Sequence, residues 1–101
     1  MKSEIKEILL ASVKKIYKEK NLVFDITRTK TKSHGNWSSN IALILGKELN
    51  QQPKVIAENL VNNFPDKKWL NKIEIAGPGF INFFLTEEAQ SYFLKSFLNN
   101  D

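Results

Sequence analysis

Phe80, Asn82 and Phe84 stand at every second position of FINFFL, a run that reads as a β-strand. Side chains alternate sides along a strand, so these three share one face, and Ile81, Phe83 and Leu85 share the other. The second set is ordinary core. Two rings flanking a carboxamide are a different matter, because an amide donates and accepts at once and rings beside it stack on planar partners. That combination suits the reading of an unpaired nucleic-acid base. The same residue types also allow packing, with Phe80 and Phe84 covering a second apolar layer and Asn82 bonding to backbone at an edge.

The elements that must position these residues follow from periodicity. Ile73 and Ile75 alternate with Glu74 and Ala76, so 72–76 reads as a strand, joined to the strand 80–85 by a tight turn at Gly77-Pro78-Gly79. At the start of the chain, Ser3 is placed as an N-cap, and Ile5, Ile8, Leu9, Ser12, Val13 and Ile16 form one helical stripe over about 3–19, stopping near Asn21. From Leu22 the period becomes two, which gives a strand over 23–28. If that strand runs on, Arg28, Lys30 and Lys32 form a basic row with about 6.6 Å between neighbours, two strand rises. Such a row suits a passing polyanion; a frayed, solvated loop suits the same residues. Asn36 is placed as the cap of a second helix carrying Trp37, Ile41, Ile44, Leu45 and Leu49. Pro53 opens a third helix with Ile56, Leu60 and Phe64 on its stripe, and 67–71 is a linker. Thr86 caps a last helix that buries Ala89, Tyr92, Phe93, Ser96 and Phe97. The expected fold is α+β: a small antiparallel β-sheet with about four α-helices packed on one face, in a single domain spanning 1–101.

Charge and composition narrow the chemistry. The net charge is +4, yet the window from Lys14 to Lys32 alone carries +5 and the remainder sums to −1. A localised excess of this kind is the footprint of a phosphate backbone or of an acidic membrane surface, while any single lysine of it reads more simply as part of a solvated face. There is no cysteine and one histidine, His34, so neither a thiolate nor a His-Cys metal cluster is available. His34 reads as a turn residue. Gly77-Pro78-Gly79 lacks the further glycine or lysine of a phosphate-cradling loop, and a strand follows it where such loops open a helix. No apolar run is long enough to cross a bilayer, and the opening residues lack a signal peptide's form, so a cytoplasmic place is expected. The residues describe a binding domain with no catalytic group of its own.

Two motifs carry a family resemblance. HGNWSSNIALILGKEL (34–49) and IEIAGPGFINFFL (73–85) together resemble the N-terminal additional domain of arginyl-tRNA synthetases. The Pro-led helix between them and the closing helix are similar too, so the resemblance covers the whole chain. It departs at two places: Asn36 stands where the family usually has Asp, and Trp37 where it has Tyr. The resemblance implies a sheet that docks on the tRNA elbow and reads an unpaired D-loop base of an arginine-accepting tRNA. It implies base contacts from Phe80 and Asn82; strand parity sets Phe84 beside them, and the basic row would bring Arg28, Lys30 and Lys32 to phosphates. It also implies a catalytic body in the same polypeptide that uses ATP with magnesium and arginine, while this domain itself needs no cofactor. A stand-alone RNA-binding module and a protein-docking module are the two other readings of the same surface.

Overall fold

A computed structural model of the chain describes residues 2–18 and 22–91. Helix α1 (Lys2–Tyr17) buries Ile5, Leu9, Ser12 and Val13, residues spaced three or four apart that fall on one face. Glu4 in its first turn and Lys14 and Lys15 in its last complement the helix dipole. Ser3 therefore lies within the helix rather than capping it. The expected stop at Asn21 and the buried side at Tyr92, Phe93, Ser96 and Phe97 lie outside the described residues.

Four strands form one antiparallel sheet: β1 (Ile26–Arg28), β2 (Trp37–Ser39), β3 (Leu70–Ala76) and β4 (Phe80–Leu85), in the order β1-β2-β4-β3. Helices α2 (Ile41–Leu49) and α3 (Pro53–Asn62) run between β2 and β3 and pack against each other and against β4 and β3. Their excursion leaves β2 free to pair on its far side with the last strand. As expected, Pro53 opens α3, where its missing N–H costs no hydrogen bond. Thr86 caps a further helical segment over 87–91, its hydroxyl accepting the Ala89 N–H at 3.1 Å.

The largest departure from the sequence reading is β2. Trp37 does not lie on a helix, and Asn36 caps none. Trp37 and Ser39 turn into the core while Ser38 turns away, and the three residues hydrogen-bond to strands on both sides. The helix begins only at Ile41, whose N–H is taken by the Ser39 hydroxyl at 3.2 Å. Because β2 is so short, residues 22–25 find no strand to pair with: Leu22 and Phe24 are buried, Val23 and Asp25 are exposed, yet only 26–28 is strand. The basic row fails for the same reason. The strand ends at Arg28, and Lys32 lies in a one-turn 3-10 helix, Lys32–His34. At the other edge, strand β3 starts at Leu70, inside the stretch read as a linker.

The core lies between the sheet and the helices. Ile81, Phe83 and Leu85 of the central strand β4 are buried there with Ile26, Trp37, Leu45, Ile56 and Leu60. Phe83 is fully buried, its ring centroid 5.3 Å from that of Phe64 just beyond α3. This is the register that strand parity requires. The helices hold one face of β4, and Phe80, Asn82 and Phe84 are left to the other.

Candidate nucleic-acid interface

Pairing across β4 builds the outer face. Asn82 stands opposite Ser38 of β2 and Glu74 of β3, and Ser38 in turn opposite Thr27 of β1. Thr27, Ser38, Asn82 and Glu74 thus form one polar row across the sheet. Phe80 lies beside Ala76 on one side of that row, and Phe84 beside Lys72 on the other.

Two glycines bring other segments up to this surface. The 3-10 turn leads into Gly35, where an added Cβ would lie 2.6 Å from the Phe83 carbonyl oxygen and 3.1 Å from the Phe84 ring, at φ 77°. Only glycine lets the loop cross so close to β4. Asn36 fixes the crossing: its N–H donates to Phe83 O at 2.9 Å, and its Oδ1 accepts the Leu85 N–H at 2.8 Å. At the opposite end, the Gly77-Pro78-Gly79 turn closes with Gly79 N–H donating to Ala76 O at 3.3 Å. An added Cβ on Gly79 would stand 2.8 Å from Pro53 Cβ, so this turn presses on the start of α3.

Between the two lies a cleft of about 400 Å3, bounded by Phe80, Asn82, Ser38, His34 and the Gly77–Pro78 turn. Phe80 is 40% exposed, the one phenylalanine so open among the described residues, and forms an open wall. Asn82 is only 4% exposed and sits deep. Among the described residues its carboxamide has no hydrogen-bond partner, yet no buried side-chain nitrogen or oxygen is orphaned. The amide is therefore reached from the cleft. A residue this deep whose amide still opens on the cleft keeps its donor and acceptor available to a planar ligand.

The six residues singled out from the sequence do not all meet. Phe80 and Asn82 share the cleft. Phe84 is on the same face but half-buried, and the Lys72 ammonium lies 4.6 Å from its ring centroid while pairing with Glu74 at 3.3 Å. Its ring is already engaged. Lys32 reaches the same side, along a second cleft that Phe84 also lines. Arg28, in register with Trp37, belongs by parity to the side of the sheet opposite Asn82. Lys30 is exposed in the loop after β1.

Three surface residues escaped the sequence reading. Ser38 was hidden by its assignment to a helix, and His34 by its reading as a turn residue. Lys72 was available from parity alone, since counting back across the turn aligns 72, 74 and 76 with 84, 82 and 80. No group of three or more His, Asp or Glu able to hold a metal occurs among the described residues.

A family model described as the arginyl tRNA synthetase N terminal domain matches residues 3–85. The "Arginine--tRNA ligase" of Shewanella pealeana is 37% identical over 108 aligned residues that take in 100% of this chain. That of Psychrobacter cryohalolentis is 49% identical over 74 residues, 73% of this chain. The chain spans 18% and 12% of the length of these two relatives. Two solved arginyl-tRNA synthetases share the fold. That of Thermus thermophilus matches over 88% of this chain and 14% of its own, with a TM-score of 0.73 at 21% identity. That of Plasmodium falciparum matches over 86% and 16%, with 0.71 at 24%.

Proposed function

Since the chain belongs to the arginyl-tRNA synthetase N-terminal domain family, we propose that residues 1–101 form a single tRNA-binding domain of an arginine–tRNA ligase and read one unpaired D-loop base. The observation that carries this is the pairing of an open ring, Phe80, with a sunken and unpartnered amide, Asn82, in one cleft. A base turned out of the D-loop stacks on Phe80 and presents its edge to Asn82. Stacking tolerates any base, whereas the amide selects by its donor and acceptor pattern. Lys32 and Lys72, which flank the outer face, meet phosphates of the elbow. ATP with magnesium and arginine are bound by the catalytic body of the same polypeptide, which works in the cytoplasm; this domain supplies tRNA selection.

The test is aminoacylation by the full-length ligase of arginine tRNAs carrying each of the four bases at the D-loop position. The base preference should appear in KM for tRNA more than in kcat, because the contact lies far from the reacting ester. Asn82→Ala should flatten the ranking of the four bases. A ranking unchanged in the folded variant refutes base reading by this residue.

A further inference from the structure

Strand β4 carries a second cleft on the same face. It measures about 380 Å3 and is lined by Lys32, Asn71, Phe84 and Glu87, together with Asn36 and Gln90. Asn82 and Phe84 are two residues apart on one strand face, about 6.8 Å by two strand rises. The 3-10 turn stands between the clefts: His34 lines the first and Lys32 the second. A single loop therefore divides one surface into two neighbouring compartments.

The second compartment has the features of a built site. Pairing of β3 with β4 slips between Leu70 and Lys72, so Asn71 is the extra residue of a β-bulge. Bulges re-aim a side chain out of the strand's alternation, and Asn71 lines this cleft as well as the one beside Phe64 and Leu70. Neither that amide nor the Lys32 ammonium has a partner among the described residues. Gln90 and Asn36 are held in place, Gln90 Nε2 donating to Leu85 O at 3.0 Å and Asn36 Oδ1 accepting from Leu85 N–H. Glu87 sets the kind of ligand. Its carboxylate opposes a phosphate inside the cleft but accepts from the amino or imino group of a base, with Asn71 able to donate or accept beside it.

We propose that this second cleft holds the base of a second unpaired nucleotide, adjacent in the RNA chain to the one at Asn82. Asn71 and Glu87 face its edge, and Lys32 meets the phosphate that links the two nucleotides. The inference rests on the D-loop reading above and extends it from one base to a step of two.

The test uses transcripts of arginine-accepting tRNA in which one D-loop base at a time is removed, leaving an abasic sugar, and titrates each against the chain at low salt. Two consecutive positions should each lose about tenfold in affinity when the base is absent, the scale of one stacked base at the first cleft and of a good pair of bonds to a base edge at the second. Phe80→Ala should abolish the sensitivity at one position, and Asn71→Ala at its neighbour alone. Asn71→Asp, which keeps the shape and removes the donor, should act like Asn71→Ala if the amide donates to the base. Sensitivity retained at one position protects the experiment against a misfolded variant. A single sensitive position, unaffected by either Asn71 variant, overturns the second site and leaves the first standing. No sensitive position, or no binding of the intact transcript, overturns both.

Discussion

At Asn82 the demands of stability and of the proposed base reading pull apart. An amide held at 4% exposure without a protein partner contributes little to the folded state. Asn82→Ala should therefore leave the stability within about 1 kcal/mol of the parent while removing base discrimination. A loss of several kcal/mol in a urea titration would make the amide a structural group instead. Phe80→Ala should weaken binding to every D-loop variant alike, by about 1–3 kcal/mol, because a ring offers stacking and little choice. Asn36 behaves in the opposite way. Its Oδ1 satisfies the Leu85 N–H at the end of β4. Asn36→Ala should cost about 1–3 kcal/mol by leaving that N–H unmet, whereas Asn36→Asp keeps an acceptor and should fold nearly as well. Paired thermal melts of the two variants separate these outcomes.

Among elements, the loop crossing at Gly35 is the most consequential. With a Cβ that would meet a backbone oxygen at 2.6 Å and a positive φ, Gly35→Ala should destabilise by about 1–3 kcal/mol and weaken tRNA binding, since the 3-10 turn walls both clefts. A variant with unchanged melting and binding would show that the turn does not shape the surface. The same region marks the limit of what the sequence reveals. β4, the β3–β4 turn, α3 and the stripe of α1 are legible because each repeats its pattern over several turns or alternations. β2 has three residues, too few to display a period, and it is a strand because β1 and β4 offer hydrogen bonds on either side. Reading it as a helix start also misplaced Ser38 and extended the basic row past Arg28. Parity sufficed to put Phe80 and Asn82 on one face. The depth of Asn82 and the clefts beside it depend on a loop folding back over the sheet, which no local pattern announces.

For the whole molecule, the position of charge matters more than its sum. Lys14 and Lys15 ride on α1, on the helical side, while Lys32 and Lys72 border the outer face. Neutralising Lys32 and Lys72 should flatten the salt dependence of tRNA binding by about 0.7–0.9 for each phosphate no longer neutralised, and neutralising Lys14 and Lys15 should leave it unchanged. Equal effects from the two pairs would mean that RNA does not approach by the outer face. The alternation of β4 has a further consequence, for descent rather than for binding. Odd-numbered residues of that strand face the core, and even-numbered ones face the outer surface, where the proposed ligand would lie. Under the proposed reading, a lineage whose tRNAs exchange one D-loop base for another can revise positions 80 and 82 while Ile81, Phe83 and Leu85 keep the core. A laboratory library confined to those two positions tests that reading with the hydrophobic core left intact.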